Sequence, residues 1–72
     1  MTIIDVRPHR GGWQVFEAPG VEPFYTGSQA KEYALGYANE RARFRAGEIH
    51  VRDAAGGLEQ VIPFAHSSLN QF

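Results

Sequence analysis

The sequence predicts a small two-layer α+β sandwich, β-β-(β)-α-β-β, in which an antiparallel sheet carries one helix on one face. Three observations predict it. Ala30, Ala34, Ala38 and Ala42 recur one helical turn apart, a smooth strip that lets a helix backbone lie close against a flat partner. The flanking segments alternate apolar and polar residues with the period of two that marks strands. Glycine and proline punctuate the chain between them, at Gly11-Gly12, Pro19-Gly20 and Gly56-Gly57.

The first strand is expected over Thr2 to His9. Ile4 and Val6 point one way, and Ile3, Asp5 and Arg7 the other. Pro8 removes a backbone donor, so the strand should end there or lie at an edge. Arg10-Gly11-Gly12 supplies the backbone freedom of a hairpin turn. Trp13 to Glu17 returns, with Trp13 and Val15 on one face and Gln14 and Phe16 on the other. Residues 18–23 read as a loop, and Phe24-Tyr25-Thr26 as a short third strand before the helix.

Thr26 and Gln29 have capping-box spacing, with Ser28 a rival N-cap. The helix should run to about Ala46 and stop at Gly47, a natural C′ residue. At about 100° per residue, Tyr33, Tyr37 and Phe44 join the alanines on one arc, while Glu32, Asn39, Glu40 and Arg43 fall opposite. Gly36, on the polar side, weakens the helix by about 1 kcal/mol relative to alanine. Arg41 falls inside the apolar arc. It can lay its stem over apolar surface with its head in water, or pair with a carboxylate at a subunit boundary. Glu48 to Asp53 alternates again, with Ile49 and Val51 inward and His50 and Arg52 outward. Residues 54–57 form a turn, and Leu58 to Phe64 the last strand. One domain spans residues 1–66. Residues 67–72 have no clear period and read as a mobile tail, unless Leu69 and Phe72 dock on a partner.

At 72 residues, such a chain buries only about 60% of its unfolded surface, and its area-minus-entropy balance lies near zero. The sequence contains no cysteine, which excludes disulfides and thiolate zinc sites. His9, His50 and His66 are too far apart in sequence to form a local ligand pair. Self-association is the remaining supplement, and a homodimer is expected. The net charge of −1 gives no global basic field for nucleic acid or anionic lipid. No apolar run approaches the about 18 residues a membrane span needs, and the N-terminus lacks a secretory signature. A cytoplasmic location is the default expectation.

Candidate chemistry is sparse. Arg41, Arg43 and Arg45 crowd the helix C-terminus, where cations complement the dipole or contact phosphates. Only Arg41 and Arg45 share a face. His50 and Arg52 share a strand face that Arg7 can join. A basic strand face can enter a major groove, although an exposed polar face has the same pattern. Residues 53–57 lack the spaced carboxylates of a calcium loop, and Gly11-Gly12 lacks the third glycine of a dinucleotide fingerprint. No serine belongs to a nucleophile turn, and Glu17 and Glu22 lie in or beside a loop where solvent keeps carboxylates ordinary. Trp13 reads as core. No catalytic residue, cofactor or metal site is predicted. One helix covers one sheet face, so the open face, mixing Ile3 or Phe16 with Arg7, His50 and Arg52, is expected to meet another surface.

Gly11-Gly12-Trp13-x-Val15, then Thr26-x-x-Gln29-Ala30, then Glu48-Ile49-x-Val51 with Asp53 before Gly56-Gly57 form an ordered series. Together, over about Val6 to Val61, they resemble a bacterial family of short proteins, domain of unknown function 2188. Gln29 replaces that family's usual acid, and the helix is about one turn longer. The resemblance implies the fold and supplies no catalytic residue. Trp13 to about Ala42 also resembles the arm-binding N-terminal domain of tyrosine recombinases, whose sheet binds DNA. The expectation is a non-enzymatic accessory or interaction protein of bacterial or phage type that self-associates. The alternative is a DNA-binding module using Arg7, His50 and Arg52 on the sheet, or Arg41 and Arg45 on the helix.

Overall fold

Period-two segments flanking one alanine-striped helix build a single sheet with a helical layer. The computed structural model describes residues 2–43 and 45–64. The expectations for Phe44, for the domain end near residue 66 and for the tail 67–72 lie outside the described residues. The elements are β1 (Thr2–His9), β2 (Gly12–Phe16), β3 (Phe24–Tyr25), α1 (Ala30–Ala42), β4 (Gly47–Arg52) and β5 (Leu58–Phe64). They form a five-stranded sheet in the order β3-β2-β1-β4-β5.

The expected antiparallel sheet is in fact mixed. β1 pairs with β2, β2 with β3 and β4 with β5 antiparallel, but the central β1–β4 pair is parallel. Chain direction explains it. Two reversals bring β3 parallel to β1, the helix runs back, and β4 therefore starts in the direction of β1. The helix is the crossover that such a pair requires.

The core lies between α1 and the sheet. Ala34, Ala38 and Ala42 are buried against Ile4, Val6, Val15, Ile49 and Val51, with Trp13, Tyr25, Leu35, Tyr37, Ile62 and Phe64 packed around this core, and Ala30 is buried at the start of the helix. The small alanine side chains let the helix settle onto the β-branched floor. The helix leans chiefly on β2, then on β1, β3 and β4, and barely reaches β5. Tyr33, expected on the apolar arc, is exposed. Its hydroxyl donates to Gln29 Oε1 at 2.9 Å instead.

Both helix ends differ from expectation. Gln29 makes no side-chain cap, so the Thr26–Gln29 capping box does not form. Gly27, at φ 101°, turns the chain so that its own carbonyl accepts the Ala30 N–H at 3.2 Å. The helix ends at Ala42, where the bonds Arg43 N–H to Glu40 and Arg45 N–H to Ala42 tighten the last turn. Gly47 is not a C′ residue. It opens β4, where a Cβ would run into the Thr2 backbone, so the β1–β4 junction requires glycine.

The hairpins follow their turn chemistry. Arg10 and Gly11 both have positive φ, at 50° and 81°, the sign pattern of a type I′ turn. In the β4–β5 turn, the Asp53 carboxylate accepts the Ala55 and Gly57 N–H groups, each at 2.9 Å. Glu59 is an extra residue in β5, since Val51 faces Gln60 while Arg52 faces Leu58. This bulge turns Glu59 toward the helix side, where Lys31 Nζ meets it at 3.1 Å. Lys31 also lies 5.1 Å from the Trp13 ring centre, so one cation bridges β2 and β5.

Candidate interaction surface

Strand parity sorts the open face into rows. Phe16, Asp5, His50 and Val61 lie side by side across β2, β1, β4 and β5, and Ile3, Glu48 and Pro63 form the next row. Arg7, His50 and Arg52 therefore do share this face. Each meets a neighbour there. Arg52 donates to both Asp5 carboxylate oxygens, at 3.2 and 3.3 Å. His50 Nε2 lies 2.7 Å from Glu48 Oε1. The Arg7 guanidinium sits 4.9 Å from the Phe16 ring centre, within cation–π range. The face thus combines the Arg52–Asp5 ion pair, the His50–Glu48 hydrogen bond and the Arg7–Phe16 contact with Ile3, Val61 and Pro63 between them.

Arg41 and Arg45 converge elsewhere, on the Glu17 carboxylate just beyond β2. Arg41 Nε donates to Glu17 Oε1 at 2.7 Å and Nη2 to Oε2 at 3.2 Å, and Arg45 Nη1 donates to Oε2. Arg45 lies past the helix end rather than on the helix. Of the two readings of Arg41, the carboxylate pairing occurs, but with Glu17 of the same protomer and not at a subunit boundary. Glu17 is also not an ordinary solvated carboxylate, because its side chain is only 8% exposed. The Arg41 hydrogen bonds hold its carboxyl below the usual range, burial pushes it up, and Arg45 adds to the lowering. Glu17 in turn raises the Arg41 pKa. Sequence parity carried the missing signal. Glu17 continues the Trp13–Val15 face, which the helix covers, and Arg41 stands on the covering arc.

The outer edge carries a further feature that sequence reading passed over. Thr2 N–H donates to Ala46 O at 3.1 Å, and Val15 N–H to Pro23 O at 3.0 Å. These bonds set the alternation across the sheet. Gly47, Ile49 and Val51 then turn their backbone groups toward β5, and Phe64, Ile62 and Gln60 answer them. Val61 and Pro63 turn theirs outward. Pro63 thus sits where a missing N–H breaks no ladder bond.

Two open hollows mark the surface of the described residues. One lies between the two hairpin turns, where glycine and alanine backbone predominates and only His9 and Arg10 bring ionisable groups. Another lies beside Tyr37 and Arg41, under the loop 20–23. Among the described residues, no cluster of His, Asp or Glu is arranged to hold a metal ion, and no helix is long and apolar enough to cross a membrane. No family model matches this chain, and no curated protein or solved structure is significantly similar to it.

Proposed function

We propose that this domain is a non-enzymatic interaction module of bacterial or phage type, working in the cytoplasm as a homodimer. The observation that carries the reading is β5. It occupies the edge of the sheet, yet Leu58, Val61, Ile62, Pro63 and Phe64 give it apolar residues on both faces. Leu58 is 52% and Val61 40% exposed. That composition belongs to strands with neighbours on every side. The core supports the same conclusion, because among the described residues the largest fully buried side chains are isoleucine and valine. So small a core leaves a short domain marginal on its own.

Nucleic-acid binding is the weaker reading. Arg41, Arg45, His50 and Arg52 lie against Glu17, Glu48 and Asp5, so phosphates would have to compete with carboxylates already in place. Sedimentation equilibrium between about 1 and 100 μM, spanning weak and tight associations, tests the proposal. A mass twice 8.0 kDa is expected, and a single 8.0 kDa species throughout refutes it. Gel-shift titration at two salt concentrations should show no retarded band. A retarded band with a steep salt dependence would establish the nucleic-acid reading instead.

A further inference from the structure

The geometry points to β5 as the dimer contact, with two copies pairing edge to edge, antiparallel, about a two-fold axis through Val61. This inference rests on the homodimer reading and adds the surface and its register.

Three observations converge on it. Among the described residues, β5 has β4 on one flank and no strand on the other. The helix barely reaches β5, so among the described residues the half-buried Ile62 and Phe64 border a thinly covered stretch of sheet. Within residues 60–63, only Val61 turns both an N–H and a C=O outward, because Pro63 has no N–H to offer. A two-fold axis at Val61 lets each copy's pair of groups satisfy the other's, in a closed, isologous contact.

Charge agrees with that register. Glu59 is the only charged residue of β5, and the axis sets it opposite Pro63 of the second copy. Its carboxylate is already paired with Lys31, so no like charges face each other across the contact. Gln60 meets Ile62 on the helix side, while the bulge leaves Leu58 on the open face. Pro63 and the Glu59 bulge disfavour other registers, since edge prolines and bulges limit unselective strand addition. The two sheets join into one continuous layer of ten strands, twice the number in the protomer.

The test uses the full chain and three variants. Val61→Pro removes an N–H that faces away from β4, so it leaves the protomer ladder intact while deleting both bonds at the axis. Val61→Lys sets two cations opposite each other at an exposed position. Ile3→Lys charges the open face away from the edge. Sedimentation should find the parent chain and Ile3→Lys dimeric, and both Val61 variants at the 8.0 kDa monomer mass with unchanged far-UV circular dichroism. Should Val61→Pro unfold, Val61→Lys decides. Hydrogen exchange on the parent chain provides a measurement free of substitutions: the Val61 amide should be protected in the dimer. A dimer that survives both Val61 changes, or whose Val61 amide exchanges freely, overturns the edge contact while the homodimer reading stands. A monomeric parent chain overturns both.

Discussion

Ala34→Leu tests the physical premise of the fold, that α1 lies flush on the sheet because its contact strip is alanine. Ala34 is 0% exposed, as are Ile4, Val6 and Val15 in the core beneath the helix. Leucine adds three carbons at a sealed contact. Were there room, burying them would stabilise the fold by about 2.4 kcal/mol, at about 0.8 kcal/mol per methylene. Without room, the helix must lift or side chains must leave their rotamers, at about 1–3 kcal/mol. The two cases differ in sign, so the experiment decides between them. A chain of 72 residues has a total stability of about 4–11 kcal/mol, so the expected loss is a large share of it. At about 4–8 °C per kcal/mol for a domain this size, thermal melting followed by circular dichroism at fixed protein concentration resolves it. Gly36→Ala is the matched control on the same helix. A Cβ at Gly36 meets nothing within 4 Å, so this change should raise stability by about 1 kcal/mol through helix propensity alone. An Ala34→Leu protein as stable as its parent, or more so, would refute the flush contact.

Acid should act through Glu17. Its folded pKa lies below the ordinary carboxyl value of 4.5, so its contribution is present above pH 4.5 and is lost as pH falls through the folded pKa. Urea midpoints of the parent chain should therefore drop below that pH, and Glu17→Gln should flatten the drop. Identical pH profiles for the two proteins would exclude the carboxylate as the source. Gly47→Ala should lose at least about 2 kcal/mol, because its Cβ would collide with the Thr2 backbone in the central strand pair. A loss under about 0.5 kcal/mol in urea unfolding would show that the β1–β4 junction has slack.

Features set by residues close in sequence were legible in advance. The alanine ladder faces the sheet, Ile4, Val6, Val15, Ile49 and Val51 are inward as parity predicts, and both glycine turns close hairpins. The misreadings share one physical origin, which is contact between residues distant in sequence. The parallel β1–β4 pair depends on chain direction passing through the two residues of β3. Gly47 looked like a helix terminator because its partner, the Thr2 backbone, lies 45 positions away. Glu17 looked solvated because the two arginines that enclose it come from beyond the next loop, at |i−j| of 24 and 28. The bulge at Glu59 leaves no local mark, since it is defined only by the register against β4. On the open face, parity placed Arg7, His50 and Arg52 together, but Asp5 and Glu48 share that parity and balance them.

Lys31 spans from Glu59 to the face of Trp13, and Trp13 is the chain's single tryptophan. Indole emission responds to a nearby ammonium and to water, and here both depend on the first turn of α1 staying seated. The molecule consequently carries its own optical gauge of helix docking, readable on the unlabelled chain and separate from any signal of backbone content.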